Sequence, residues 1–229
     1  MDHKTNGGPP DLAEALRALE SILAGPGPTS WIGSAERQLR DADGNRVKAW
    51  LLETLTDGDP LGAALAIKRV AGQINVVVHA LGILTALPYI LDPGETVDSL
   101  SLGAGNTGRE HDLTTNLRIA EFKFIDWRGG SETIRQNGLF ADLFNLVVDP
   151  TPKHKSLYVV GLDHPLEFLN GRRSLVSVMS RNSHLAKRFQ AIRVEGLVTV
   201  ADYFASVQGQ VEIVDLAGIV PGLRVTAVD

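Results

Sequence analysis

The chain predicts an α/β fold, a mixed sheet flanked by helices, with an N-terminal helical segment ahead of it. Three observations carry this: a long apolar helical pattern over 61–91, near-alternation of side chains over 120–125, and an amphipathic helical pattern over 131–148 followed by a β-compatible run over 156–162. A chain of 229 residues with 44% apolar composition can bury a sizeable core.

Taken in order, residues 1–10 are rich in Gly and Pro, lack periodicity and read as a flexible tail. Asp11 then starts a helix in which Leu12, Leu16, Leu19 and Leu23 recur at helical spacing, stopped by Gly25-Pro26-Gly27-Pro28. A second helical stretch, 34–55, is interrupted by the turn signal Asp41-Ala42-Asp43-Gly44. Together 11–60 form an N-terminal helical segment, readable as a cap, a dimer surface or packing, so a homodimer stays open. Residues 61–229 form the α/β domain, expected to be one compact unit with 11–60.

Within 61–91, the stretch 74–91 has no Asp, Glu, Lys or Arg, which reaches the length of a membrane span. Asn75, His79, Thr85 and Pro88 interrupt it and only Lys68 and Arg69 lie near as basic flanks, so the expectation is a helix buried in a large core, with no membrane. His79 is then a hydrogen-bonded core histidine. Strand one is expected over 96–102, ending in Gly103-Ala104-Gly105-Asn106-Thr107-Gly108. That run spells GxGxxG, but a dinucleotide site needs a helix opening at the last Gly. The short β-compatible run 109–115 follows instead, so the glycines read as a connection between strands.

The chemistry concentrates in His111-Asp112-Leu113-Thr114-Thr115 and Ala120-Glu121-Phe122-Lys123-Phe124. Alternation places Ala120, Phe122 and Phe124 on one face of a strand and Glu121 with Lys123 on the other. If the chain reverses around Asn116 and Leu117, Asp112 and Glu121 fall directly opposite, with Cβ atoms about 5 Å apart. Two carboxylates that close repel unless a cation lies between them. Mg²⁺, with Mn²⁺ as substitute, takes hard oxygen ligands and completes its shell with phosphate and water. The Phe122 carbonyl could add an oxygen. Lys123 could orient or deprotonate a water, or offset charge on a phosphate.

After this hairpin, 126–130 forms a loop and Ser131 is expected to N-cap a helix to Val148, with Leu139, Phe140, Leu143, Phe144 and Val147 as its buried stripe. Gln136 and Arg135 precede the stripe by one turn, near the same sheet edge. Asp149-Pro150-Thr151-Pro152 stops the helix, and 156–162 resumes as a strand. Further on, 181–193 reads as a basic helix, 194–207 as helix or strand, and 211–228 as an apolar run interrupted by Pro221-Gly222.

Asp112, followed after eight residues by Glu121-Phe122-Lys123, resembles the D…(D/E)xK signature of the PD-(D/E)xK nuclease superfamily, the restriction-endonuclease-like and RecB-like enzymes. The resemblance implies a restriction-endonuclease-like core of helix, three-stranded antiparallel meander, helix and strand, threaded through about residues 61–163. It implies Asp112 and Glu121 as metal ligands, and Lys123 as the catalytic lysine. Gln136 with Phe140 resembles the QxxxY element of the RecB-like branch, Phe standing for Tyr, and Gln136 would place the lysine or the substrate. His111 replaces the family's frequent Pro, and the first helix carries no acid, which leaves any third carboxylate unassigned.

The absence of Cys excludes disulfides, thiolate zinc sites and cysteine nucleophiles and fits a reducing compartment. With no basic n-region and apolar stretch at the start, a cytoplasmic protein is expected. The net charge of −5 argues against bulk coating of nucleic acid, yet 151–193 carries eight basic residues against Asp163 and Glu167, a local +6. Lys153, Lys155, Arg172 and Arg173 within that stretch, with Arg135 near the sheet edge, are the candidate phosphate contacts. The expected function is therefore Mg²⁺-dependent hydrolysis of phosphodiesters, in DNA first. The alternative is an inactive nuclease-fold protein that binds nucleic acid or a protein partner.

Overall fold

A computed structural model describes residues 11–24, 27–55, 59–103, 110–124, 127, 132–192 and 196–223. The N-terminal tail, the glycines 105 and 108, the 128–130 loop, Ser131 as N-cap and Arg193 lie outside the described residues. The chain divides into two compact units, Met1–Asn75 and Val76–Asp229, and the long helix runs through the boundary.

The first unit holds α1 (Leu12–Ala18), α2 (Glu20–Leu23), α3 (Pro28–Gln38), α4 (Gly44–Thr54) and the start of α5 (Pro60–Ile90). Its buried residues are few: Ala15, Leu19 and Ala63, with Ala18, Ile22, Ala64 and Ile67 packed around them. Asp43 caps α4 by accepting the Arg46 amide at 2.8 Å, which accounts for the turn signal at 41–44. Trp50 donates its indole N–H to Gln38 at 2.9 Å and lies 5.8 Å from the Trp31 ring, tying α3 to α4.

The second unit continues with β1 (Val97–Leu100), β2 (Leu113–Thr115), β3 (Arg118–Lys123), α6 (Thr133–Val148) and β4 (His154–Val159). After these come α7 (Asp163–Leu169), α8 (Leu175–Met179), α9 (Ser183–Ala191), α10 (Val200–Ser206), β5 (Glu212–Asp215), α11 (Leu216–Ile219) and a 3-10 turn at Pro221–Leu223. The five strands lie in chain order in one mixed sheet: β1, β2 and β3 are an antiparallel meander, and β3, β4 and β5 run parallel. The two parallel steps require crossovers, and α6 supplies the first of them. The α/β class with helices flanking a mixed sheet is thus as the sequence predicts.

Each sheet face has its own apolar layer. Ile119, Leu157 and Val159 join α6 residues Leu139, Phe140, Leu143, Phe144 and Leu146 on one side. Ala120, Phe122, Leu113 and Tyr158 meet Ile83, Ala86 and Ile90 of α5 on the other. The alternation along β3 therefore sends Glu121 and Lys123 toward α6, and Phe122 and Phe124 toward α5. Gly82 permits that second contact, because a Cβ there would lie 2.5 Å from the Phe124 ring, itself stacked on Phe122.

The expectation that α5 is enclosed on all sides is corrected. Full burial is confined to Ala63 near its start and to Gly82, Ile83, Ala86 and Ile90 in its last turns, while 68–78 are exposed all round, Ile74 and Val77 among them. A helix lying on one face of a sheet can bury only the stripe that meets it. Length and composition alone would also let α5 cross a membrane. Strand bounds differ from the pattern: 111–112 fall outside β2, 96 and 101–102 outside β1, and 160–162 outside β4, which begins earlier, at His154.

Candidate functional site

The β2–β3 register determines which side chains meet. Leu113 pairs with Ala120 and Thr114 with Ile119, the register that sets Asp112 opposite Glu121. Glu95 holds the intervening turn in place. Its buried carboxylate accepts the Thr115 hydroxyl at 2.6 Å and the Arg118 guanidinium through Nε and Nη2, each at 2.6 Å. Arg118 also donates to Asp92 at 2.8 Å and to the Tyr158 hydroxyl at 2.9 Å. Burial opposes ionisation of Glu95, but the Arg118 and Thr115 hydrogen bonds win and bring its pKa down to about 2.

Asp112 stands at the mouth of the hairpin. Its Oδ2 accepts the Phe122 amide at 3.0 Å, and its Oδ1 lies 3.3 Å from His79 Nε2. The hydrogen bond to Asp112 raises the His79 pKa, so the ring favours its charged form. His79 comes from the turn of α5 preceding Gly82 and sits edge-on to Phe124. It is hydrogen-bonded, as expected, but its partner is a site carboxylate.

Glu121 is buried. Burial pushes its carboxyl up to about 7, the Asp142 and Asp112 charges add to that rise, and the His111 hydrogen bond opposes it. Lys123 contacts the Asp142 carboxylate, which projects from α6. Burial works against the lysine charge, but Asp142, Glu121 and Asp112 outweigh it and leave the ammonium pKa above the ordinary value. Burial likewise raises Asp142, against the pull of Lys123. Asp112, Glu121 and Asp142 therefore form one electrostatic cluster around Lys123.

Asp142, which contacts Lys123, is an acid that the sequence reading does not single out. The signal for it was a lone acid inside Leu139-Phe140-Ala141-Asp142-Leu143-Phe144, a costly place for a charge without a partner.

His111 was noted only as a replacement for Pro. Its ring is buried between Glu121 and Asp149, with Nδ1 3.1 Å from Glu121 Oε1 and Nε2 3.0 Å from Asp149 Oδ2. Burial opposes a charge on the ring, but its hydrogen bonds to both carboxylates raise its pKa. Asp149, read as a helix stop, also accepts the Thr151 amide at 2.8 Å.

The other candidates separate into two groups. Arg135 lines a small cavity with Lys123, Trp127, Leu139, Val159 and Pro165, and its guanidinium pairs with Glu132. Gln136 accepts a hydrogen bond from Arg173, and both line a neighbouring cavity with Trp127, His164 and Arg172. The hydrogen-bond partner of Gln136 among the described residues is thus Arg173, not Lys123. Lys153 donates to the Thr115 carbonyl and to Asp98 at 3.2 Å. Lys155 caps the end of α6 on the carbonyls of Val147 and Asp149, at 3.2 and 2.6 Å. Both lysines are thereby engaged in the fold. Arg172 and Arg173 have no acidic ion-pair partner among the described residues.

The donor chemistry of Asp112, Glu121 and Asp142 fits a hard divalent cation, being carboxylate oxygen throughout. The hydrogen bonds that Asp112 and Glu121 accept leave lone pairs for such an ion, since each carboxylate offers about four acceptor sites. No protein family, no curated protein and no solved structure matches this chain.

Proposed function

We propose that the chain is a Mg²⁺-dependent phosphodiesterase acting on DNA, with the restriction-endonuclease-like core that the Asp112…Glu121-Phe122-Lys123 signature implies. The observation that carries the reading is the ion pair of Lys123 with Asp142 on the sheet face that also carries Glu121, which the hairpin register sets opposite Asp112. Support also comes from the element order α5, β1, β2, β3, α6, β4, which follows the core that the signature implies.

Asp112 and Glu121 would hold Mg²⁺ or Mn²⁺, with the Phe122 carbonyl as a further oxygen. Bound there, the ion would polarise the phosphoryl oxygen and acidify a water. Lys123 stays protonated, which suits it to stabilising charge on the phosphate oxygens rather than to removing a proton. Asp142 positions that ammonium, and His79 orients Asp112. Arg135, beside Lys123, and Arg173 with Arg172, beside Gln136, would steer the phosphate backbone.

A second reading keeps the fold without the reaction. It is favoured by the mutual neutralisation of the cluster, since Asp112 meets His79, Glu121 meets His111 and Asp142 meets Lys123. Calorimetry with Mn²⁺ separates the two: an active site binds the ion and loses it in Asp112→Ala, whereas absence of binding even with DNA present leaves a binding or assembly protein. Linear, circular and single-stranded DNA, and RNA, each with and without metal, define the substrate.

A further inference from the structure

We propose that Glu110, His111 and Asp149 form a second divalent-cation site, separate from Asp112 and Lys123, with a preference for Zn²⁺ over Mg²⁺. One ligand atom from each of the three residues lies within 4.8 Å of the others. The inference stands on these three residues alone and holds whether or not the chain cleaves DNA.

One pair already has the spacing of two ligands on one ion. His111 Nε2 and Asp149 Oδ2 are 3.0 Å apart. Two donors at about 2.0–2.1 Å from Zn²⁺ are separated by about 3.0 Å at a right angle and about 3.4 Å at the tetrahedral angle. A cation can therefore enter this gap with little movement of either side chain. Glu110 is exposed, so its carboxylate can swing in to close the rest of the separation, and it opens the site to solvent.

The surroundings orient the ligands as a metal site requires. The other imidazole nitrogen, Nδ1, faces Glu121 at 3.1 Å, and Glu121 is itself buried. A histidine that ligates through one nitrogen and donates from the other to a buried carboxylate has its tautomer and ring plane fixed. On the opposite side, Asp149 Oδ1 accepts the Thr151 amide at 2.8 Å, which turns Oδ2 toward His111. Lys155 holds the Asp149 carbonyl at 2.6 Å.

The donor set selects the ion. One imidazole nitrogen with two carboxylates suits Zn²⁺, whereas Mg²⁺ prefers oxygen throughout. Three protein ligands leave a fourth position for water or another ligand. The chain has no cysteine, so bound Zn²⁺ has no thiolate to turn to.

The test uses the full-length chain, stripped with chelator and titrated with Zn²⁺ by calorimetry, together with X-ray absorption at the zinc edge. One ion per chain is expected at this site, in a nitrogen and oxygen shell containing a single imidazole. His111→Gln and Asp149→Asn should each weaken binding by about 100-fold, at or above the loss seen when outer-shell partners are removed. Glu110→Gln, which leaves the buried residues in place, should weaken it by about tenfold. Asp112→Asn should leave the imidazole-containing zinc shell in place, which separates this site from the one proposed for catalysis. Failure of the wild-type chain to bind Zn²⁺, a shell with no imidazole, or undiminished affinity in Glu110→Gln and Asp149→Asn overturns the proposal.

Discussion

The Lys123 ammonium on β3 contacts the Asp142 carboxylate on α6, so the lysine of the candidate site is held by an acid that its own hairpin does not supply. Positioning of this kind predicts a graded series. Asp142→Asn should lower the rate of DNA cleavage with little change in KM, and Asp142→Glu should restore part of it. Removing one partner of a largely buried ion pair costs about 3 kcal/mol of stability. A lower melting temperature with an unchanged rate would reduce Asp142 to a structural role.

Glu121 predicts how metal binding depends on pH. Burial lifts its carboxyl to about 7, so below that value a cation must displace a proton. The affinity for Mn²⁺ should rise by roughly tenfold per pH unit up to about 7 and then flatten. Calorimetry across pH 5–8 reads this directly. A flat profile would mean that Glu121 is not a ligand.

Glu95 governs acid stability. Its folded pKa, about 2, lies below the ordinary 4.5. A depressed carboxylate contributes stability that is present above 4.5 and is lost as pH falls toward 2. Scanning calorimetry should therefore show the wild-type melting temperature dropping through that window, and Glu95→Gln should be less stable at pH 7 with a shallower acid slope. Because Glu95 holds Thr115 and Arg118, this variant should also weaken Mn²⁺ binding by loosening the hairpin register.

Gly82 tests how α5 meets the sheet. A side chain there would enter the Phe124 ring, so Gly82→Val should cost about 1–3 kcal/mol by overpacking. Denaturant unfolding measures it, and a variant as stable as the wild type would mean that α5 can shift away from β3.

The sequence made the hairpin legible because its determinants are local. Alternation along β3 and a reversal at 116–117 are enough to oppose residues 112 and 121 and to put Phe122 and Phe124 on one face, the face that meets α5. Asp142, Asp149 and His111 were not legible as partners, since each acts through contacts with residues distant along the chain. Net charge drew Lys153 and Lys155 into a phosphate-facing group, but a charge count cannot tell which carbonyls need capping. Gln136 was placed on the correct helix, yet its neighbour Arg173 comes from a loop that periodicity does not position. The uncharged stretch of α5 suggested enclosure, because composition reports what a helix could bury and not how much of it meets a partner.

We propose that Asp112, Glu121 and Lys123 form one phosphodiesterase site. Its most direct test is single-turnover cleavage of end-labelled DNA with Mg²⁺, comparing the wild-type chain with Glu121→Gln and Lys123→Ala, all three checked for folding by circular dichroism. The account predicts metal-dependent cleavage by the wild type and a loss of about 100-fold or more in each variant, the scale of removing one group that stabilises transition-state charge. Full activity in either folded variant, or no cleavage of any DNA by the wild type with metal present, would contradict it.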